Sequence, residues 1–222
     1  MMAFWVLSTG VVVWTFRLVD PPIWAWRIHR AVAPPAESMP KVQHDWVRLE
    51  AVSPEMQLAV IAAEDQLFPQ HHGFDWEAIF AAVDYNRESE RIRGGSTITQ
   101  QTAKNLFLYP ARSWIRKGIE AYFALLMEIL WPKTRILEVY LNIVEFGPNI
   151  YGVEAAARHF FGRSAANLSR TQASRMAAVL PNPYQYRVQP PLGYVTRRSA
   201  WIRQQMRQLG PATLDSLKAG IF

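Results

Sequence analysis

The feature that most constrains the fold is a long run of apolar residues at helical spacing between Ser113 and Trp131. Its apolar positions recur every three or four residues and form one broad helix face: Ile115, Ile119, Tyr122, Phe123, Leu126 and Ile129. Pro132 ends this helix, because its ring cannot continue the backbone hydrogen-bond ladder. A second amphipathic helix follows at 133–142, whereas alternating strand patterns are scarce. The sequence therefore predicts a mainly α domain.

Another predicted helix runs directly into the densest group of ionisable residues. Ser53 is a favourable N-cap, Pro54 suits the first helical position, and Leu58 and Ile61 repeat at helical spacing. Glu64 thus falls near the C-terminal end of a buried helix, where the helix dipole holds its proton more tightly. Such a carboxyl group suits a general base or acid near neutral pH. Pairing of this acid with a distant arginine is the alternative.

Four further ionisable residues follow Glu64, three before Gly73 and one after it: Asp65, His71, His72 and Asp75. Two adjacent histidines are poor ligands for one metal ion. We therefore expect His71 to form hydrogen bonds that fix the loop.

A glycine pair precedes a polar helix between residues 94 and 105. Gly94 and Gly95 allow close backbone approach, and Ser96 or Thr97 can cap the helix. The helix then carries a set of polar side chains: Gln100, Gln101, Lys104 and Asn105. Free backbone amides and a lysine at a helix N-terminus predict an anion site. An ordinary glycine turn before a capped helix is the alternative, and the spacing does not fit a Walker loop.

Two cations and one acid share a face of the long helix. Glu120 follows Arg116 by four residues and Lys117 by three, which places all three side chains together. Surface pairs with this spacing are common and weak, so the cluster alone does not indicate a site.

Composition narrows the classes of partner. The formal charge is +6 and the isoelectric point is about 9.8, which indicates an anionic partner such as a lipid or a phosphorylated substrate. Aromatic-rich nucleic-acid-binding patterns are absent, so nucleic acid is the weaker option. The chain has no cysteine, which excludes disulfides, thiolate zinc sites and cysteine nucleophiles.

The N-terminus predicts an uncleaved membrane anchor. Residues 1–16 carry no charged side chain and would cover about 24 Å as a helix. An interfacial aromatic belt is predicted from Trp14, Phe16, Trp24 and Trp26. A cleaved signal peptide is the rival, but its basic leading region is missing. Three arginines after the apolar run would favour the opposite orientation to an exported domain: Arg17, Arg27 and Arg30. We assign residues 1–19 to the anchor, 20–41 to a proline-rich linker and 42–222 to the folded domain.

Four successive motifs resemble those of the peptidoglycan glycosyltransferases, and the similarity is strongest to the membrane-anchored, monofunctional biosynthetic type. The motifs are Glu64-Asp65 with Phe68, His71, Gly73 and Asp75; Gly94 to Gln101 with Lys104-Asn105; Arg116-Lys117 with Glu120; and Lys133 with Ile136-Leu137-Glu138 and Tyr140-Leu141-Asn142. The Gly-Gly-Ser-Thr-Ile-Thr-Gln-Gln string is highly specific. The resemblance covers about residues 46–209. It implies a lysozyme-like, mainly α fold. It also implies an enzyme that polymerises lipid II into β-1,4-linked glycan strands.

The resemblance also implies roles for individual residues. Glu64 and Glu120 would be catalytic, with Glu64 as the base. Substrate-binding residues would be Lys104, Arg116, Lys117, Gln100, Gln101, Ser96, Thr97, Asp65 and Asn105. Residues with a structural role near the site would be Phe68, His71, Gly73, Asp75, Gly94 and Gly95. No cofactor is obligatory, and a divalent cation, Mg²⁺ or Mn²⁺, at Glu120 is left open.

The expected partners are lipid II, the growing glycan strand, membrane lipid and other cell-wall synthesis or division proteins, with no nucleic acid. The expected location is the inner membrane, with a single span and a periplasmic catalytic domain. Trp76 and Phe80 are predicted to enter the bilayer interface, with core packing as the alternative. Two rival functions are a lytic glycosidase of the same fold class and a non-catalytic scaffold of a cell-wall complex.

Overall fold

The computed structural model describes residues 1–35, 41–77, 79–80, 95–111 and 113–220. These residues are mainly helical, as predicted. The helices are α1 (Met2–Leu18), α2 (Ala25–Val32), α3 (Pro54–Glu64), α4 (Ile98–Phe107), α5 (Trp114–Leu130), α6 (Lys133–Ile143), α7 (Val153–Phe161), α8 (Arg170–Val179), α9 (Tyr194–Leu209) and α10 (Ala212–Ala219). Short 3-10 turns occur at Leu49–Ala51 and Ala165–Asn167.

Helix α3 lies at the centre of the domain. Its residues from Met56 to Ala62 are all buried, and it packs against α8 and α9. On the other side of the molecule α4 packs against α5 and α6. Because α3 is apolar all round, it is stable only inside such a bundle. This arrangement carries the carboxyl end of α3 into the interior.

The long helix predicted from the apolar run is confirmed as α5. Ser113 is its N-cap, and the Ser113 Oγ accepts a hydrogen bond from the Arg116 amide at 3.1 Å. The helix ends at Leu130, immediately before the Trp131-Pro132 step. Local signals therefore set both of its ends.

A small three-stranded sheet closes one side of the bundle, with strand order β1-β3-β2. The strands are β1 (Gln43–His44), β2 (Glu145–Gly147) and β3 (Ile150–Tyr151). Strand β3 is parallel to β1 and antiparallel to β2. Gly152 follows with φ +79°, and a Cβ there would lie 2.7 Å from the Asn142 carbonyl oxygen, so only glycine fits.

Helix α1 lies along α5. The Thr9 and Tyr122 hydroxyls are 2.7 Å apart, and the Trp131 Nε1 donates to the Val13 carbonyl oxygen at 2.7 Å. The outward side of α1 is apolar and exposed, with Leu7 at 69% exposure. Within the described ranges, no helix combines the length and the apolar character needed to cross a membrane.

The segment predicted as a linker, residues 20–41, contains the ordered helix α2, and residues 36–40 lie outside the described ranges. Trp24, just before α2, is only 1% exposed and packs edge-on against the rings of His44 and Tyr151. Its predicted place in an interfacial aromatic belt is therefore wrong, because the indole belongs to the domain core.

Candidate active site

A cavity of about 720 Å³ opens beside the carboxyl end of α3. Glu64, the last residue of α3, lines it, as do Gly95, Ser96 and Thr97 before α4. Further lining residues are Asp65, Asp75, Gln101, Lys104, Leu180, Tyr194, Arg198 and Trp201. The structure thus brings together the first two predicted motifs, which lie about thirty residues apart in the sequence.

The carboxylate of Glu64 has a neutral partner. The Gln101 Nε2 donates a hydrogen bond to the Glu64 Oε2 at 2.9 Å. Burial raises the pKa of Glu64, while the Gln101 hydrogen bond and the charges of Arg198 and Lys104 partly oppose that rise. The result is a carboxyl group with a raised pKa at the wall of an open cavity.

Tyr140 fixes the orientation of the Gln101 amide. Its hydroxyl donates to the Gln101 Oε1 at 3.2 Å, so the amide nitrogen must point to Glu64. Burial raises the pKa of Tyr140 well above its usual value, and the nearby Glu64 and Asp65 raise it further. The phenol therefore stays protonated and remains a donor. Tyr140, Gln101 and Glu64 form one chain of hydrogen bonds across three helices.

The loop after α3 is held by Asp65 and His71. The His71 Nε2 lies 2.9 and 3.0 Å from the two Asp65 carboxylate oxygens, and the Gly73 amide donates to the His71 Nδ1 at 3.1 Å. The imidazole proton therefore resides on Nε2. The Asp65 Oδ2 also accepts from the Ile98 amide at 2.9 Å, which ties the loop to the N-terminus of α4. His71 thus forms hydrogen bonds within the loop, as predicted.

The other predicted loop residues support the same geometry. Gly73 has φ +88°, and its carbonyl oxygen accepts from the Thr97 hydroxyl at 2.7 Å. Phe68 is fully buried, and the Lys133 ammonium lies 4.7 Å from its ring centroid. Asp75 lines the cavity, whereas Gly94 lies outside the described residues.

Helix α4 begins with a reciprocal capping box. The Thr97 hydroxyl accepts from the Gln100 amide at 3.2 Å, and the Gln100 Oε1 accepts from the Thr97 amide at 3.0 Å. Capping directs the Gln100 side chain back into the helix terminus, away from the cavity lining. Asn105 is also buried outside that lining. The side chains placed at the cavity by α4 are those of Gln101 and Lys104.

The acid of the third motif is buried between two cations. Glu120 is 2% exposed, and its Oε2 accepts from the Arg116 Nη1 at 2.7 Å while its Oε1 accepts from the Lys117 ammonium. The Lys117 ammonium also reaches the Ser96 hydroxyl at 3.3 Å, at the cavity wall. The predicted clustering of these three residues is confirmed, and the buried acid distinguishes it from a weak surface pair.

Lys104 connects the two acidic centres. Burial lowers the pKa of Lys104, the charges of Arg116 and Lys117 lower it further, and Glu120 and Glu64 oppose the shift. Lys104 thus lies in the field of both glutamates and lines the cavity. One side of the site carries a carboxyl group with a raised pKa, and the other carries a concentration of positive charge.

Helix α9 contributes residues that the sequence did not assign to the site. Arg198 is half-buried in the cavity lining. Its Nη2 donates to the Ala63 carbonyl oxygen at 2.8 Å, and its guanidinium lies 4.2 Å from the Trp201 ring centroid. The signal that could have identified it is an exposed tryptophan three residues after an arginine, on one helix face.

A carboxyl group with a raised pKa beside a cluster of cations is an arrangement typical of enzymes that activate a hydroxyl group and neutralise an anionic leaving group. Comparison of sequences agrees with this class: the profile of the transglycosylase family matches residues 34–207. The chain belongs to the transglycosylase family.

Several relatives share most of the chain. A protein of Aeromonas hydrophila is 62% identical over 211 residues, which cover 95% of this chain and 89% of that protein. A protein of Shewanella oneidensis is 63% identical over 201 residues, which cover 90% of this chain and 86% of that protein. A protein of Vibrio parahaemolyticus is 52% identical over 214 residues, covering 96% and 95%. Each relative is described as a biosynthetic peptidoglycan transglycosylase.

Proposed function

We propose that this chain is a peptidoglycan glycosyltransferase that polymerises lipid II into β-1,4-linked glycan strands and releases undecaprenyl diphosphate. The observation that carries the proposal is the placement of Glu64 and a cation cluster around one cavity. Membership of the transglycosylase family supports the same reaction.

Glu64 is the general base. Its carboxylate takes the proton of the acceptor 4-hydroxyl, and the hydroxyl oxygen attacks the anomeric carbon of the donor. The bond from that carbon to the diphosphate oxygen breaks, its electrons leave with the diphosphate, and the configuration inverts. The raised pKa of Glu64 makes it a stronger base than a solvent-exposed acid. The positive charges of Arg198 and Lys104 oppose the rise in pKa and so favour the ionised form that accepts the proton.

The cations neutralise the departing diphosphate. Lys104 lines the cavity, and Lys117 reaches it through the Ser96 hydroxyl at 3.3 Å. Glu120 holds Arg116 and Lys117 in place from a buried position. Stabilisation of charge that develops in the transition state is usually the largest contribution of such groups.

A divalent cation does not fit Glu120 well. Each of its carboxylate oxygens already accepts a hydrogen bond from a cationic side chain. Within the described ranges, no three acidic or histidine side chains converge on a point where an ion could bind. We therefore propose that no resident cofactor is obligatory and that Arg116, Lys117 and Lys104 supply the positive charge.

The enzyme works at the inner membrane, anchored by its N-terminal segment, with the catalytic domain on the periplasmic side. Supporting this, residues 1–16 carry no charged side chain, and α1 exposes apolar groups along α5. Aromatic side chains that are more than half exposed support membrane contact, among them Trp14, Trp76, Phe80 and Trp114. Lipid II and the growing strand would reach the cavity from that interface.

The direct test is incubation of the full chain with labelled lipid II in detergent. The expected product is a polymer that a muramidase digests to disaccharide units. A parallel incubation with finished peptidoglycan tests the lytic alternative, for which soluble fragments would be expected. Absence of product in both incubations would favour the scaffold role and contradict the proposal.

A further inference from the structure

Helix α2 is clamped onto the domain by one buried carboxylate. Glu145, on β2, is 5% exposed, and its Oε2 accepts from the Trp26 Nε1 at 3.0 Å and from the Arg30 Nε at 3.3 Å. Its Oε1 accepts from the Tyr184 hydroxyl at 2.6 Å and the Asn149 amide at 3.4 Å. Four donors from three separated segments thus converge on one side chain. The helix that follows the N-terminal segment is therefore fixed at a defined place.

The same contacts immobilise the Trp26 ring. The Arg30 guanidinium lies 4.8 Å from the Trp26 ring centroid and 4.6 Å from that of Tyr184. The indole N–H is held by Glu145. A tryptophan that is fixed both at its N–H and on one face presents the rest of its ring in a single orientation.

The Trp26 ring also faces Lys104, a residue that lines the cavity. Helix α2 packs against α4, and the Lys104 ammonium lies 5.8 Å from the Trp26 ring centroid, within the range of a cation–π interaction. In the described part of the chain, Lys104 donates no hydrogen bond and forms no ion pair within 4 Å. The charged groups that act on it across space are Glu64 of α3, Glu120, Arg116 and Lys117 of α5. Arg30, also on α2, lies against the same indole.

We infer that Trp26 is a positioning residue for Lys104: its indole face holds the ammonium at the cavity, and Glu145 holds the indole. The inference deepens the proposed function, because it explains how a lysine without a hydrogen-bonding partner in the described residues is kept oriented and charged. It also gives the segment between α1 and the domain a part in building the site.

The Trp26 ring favours the charged form of Lys104. Burial and two neighbouring cations lower its pKa, whereas the negative face of an aromatic ring stabilises the protonated form. Removing the ring therefore moves the titration of Lys104 to lower pH. Deprotonation of Lys104 would remove positive charge where the diphosphate leaves.

The test uses the full chain in detergent micelles, with its lysines ¹³C-dimethylated so that their charge is retained. The Lys104 resonance is assigned by its loss in Lys104→Arg. In the wild type we expect that resonance to show an upfield ring-current shift. In Trp26→Leu we expect the ring-current shift to disappear and the titration to move to lower pH. Trp26→Phe keeps an aromatic face and should retain most of both effects.

Matched variants separate positioning from general stability. Trp46→Leu removes another ring that faces a cation, with the Arg135 guanidinium 5.6 Å from its centroid, and should leave the Lys104 resonance unchanged. Glu145→Gln keeps the Trp26 ring but removes the negative charge that holds it. This variant should move the Lys104 titration to lower pH, by less than Trp26→Leu does. If Trp26→Leu does not fold, Glu145→Gln still tests the inference.

Two results would overturn the inference: a wild-type Lys104 resonance without a ring-current shift, or an unchanged Lys104 titration in both folded Trp26→Leu and Glu145→Gln. On lipid II, Trp26→Leu should lower kcat/KM about two- to thirtyfold, with the loss growing as pH rises. A wild type that shows the resonance effects but makes no polymer would contradict the proposed function and leave the inference intact.

Discussion

The two glutamates of the site are both withdrawn from solvent, yet their partners differ. Glu64 accepts a hydrogen bond from a neutral amide, and in the described part of the chain it forms no ion pair within 4 Å. Glu120 accepts from a guanidinium and an ammonium, one on each oxygen. Ion pairing favours the charged carboxylate, whereas burial beside neutral groups disfavours it. Glu64 is therefore suited to exchanging a proton, and Glu120 to holding fixed charges.

The largest expected effect comes from removing the proton-exchanging group. Glu64→Gln should lower kcat on lipid II by about 10²- to 10⁴-fold, the usual contribution of general acid–base catalysis, with little change in KM. The Gln amide oxygen can still accept the hydrogen bond from Gln101, so the fold should persist. Rates of polymer formation and circular dichroism measure the two outcomes.

The exposed acid Glu50 provides the matched control for Glu64→Gln. Glu50→Gln makes the same chemical change away from the cavity lining and should leave the rate unchanged. A Glu64→Gln protein that polymerised lipid II at the wild-type rate would remove the distinction between the two glutamates.

A smaller effect is expected at the ion-paired acid. Glu120→Gln should lower kcat/KM by roughly 10²-fold, because Arg116 and Lys117 lose the group that fixes them, and misplacement by about 1 Å has a cost of that order. Unlike Glu64→Gln, this variant should also lose stability, by about 1 kcal/mol, since both cations retain some access to solvent. Thermal unfolding and steady-state kinetics measure the two changes.

The result for Glu120 also bears on the divalent cation. If ion pairing is its function, added Mg²⁺ should not alter the ratio of variant to wild-type rates. If added Mg²⁺ restored the rate of the Glu120→Gln variant, the carboxylate would act through a metal ion, contrary to our proposal.

A still smaller effect should come from the group that orients the neutral partner of Glu64. Tyr140→Phe removes the donor to the Gln101 Oε1, at a cost of about 1 kcal/mol, or roughly fivefold in kcat/KM. The freed amide can turn its oxygen toward Glu64, which raises the pKa of that carboxyl group further. The acidic limb of the pH profile should therefore move to higher pH. If the pH profile of Tyr140→Phe matched that of the wild type, other contacts would orient Gln101.

The smallest effect concerns stability and pH. Because the pKa of Glu64 is raised in the folded state, the native protein binds this proton more tightly than the unfolded chain does. The contribution of Glu64 to stability therefore decreases as pH rises from its unfolded value of 4.5 through the folded value. Glu64→Gln removes this dependence, so its Tm should exceed that of the wild type increasingly across that window. Calorimetry at several pH values measures the difference, and a parallel pH dependence in both proteins would contradict the raised pKa.

Much of the site was predictable because its signals are local. Glu64 lies at the end of α3, and Glu120 pairs with Arg116 and Lys117, as spacing along the chain predicts. Gln100 shows the limit of that reasoning. Spacing placed it on a polar helix next to the site, but its side chain completes the capping box with Thr97. Two competing uses of the same amide cannot be separated without the geometry of the helix terminus.

The sequence by itself determined helices α3 to α6 and the grouping of Glu120 with its two cations, because these depend mainly on interactions between residues at most four positions apart. Only the tertiary structure decided which side chains meet across the cavity. Arg198 joins Glu64 from α9, Tyr140 orients Gln101 from α6, and Trp26 reaches Lys104 from a segment that read as a linker. Such contacts join residues far apart in the chain, and packing of the helices sets their distances. Local spacing identifies the cations that pair with Glu120, whereas the groups around Glu64 come from distant helices. The difference between the two glutamates therefore depends on the tertiary structure.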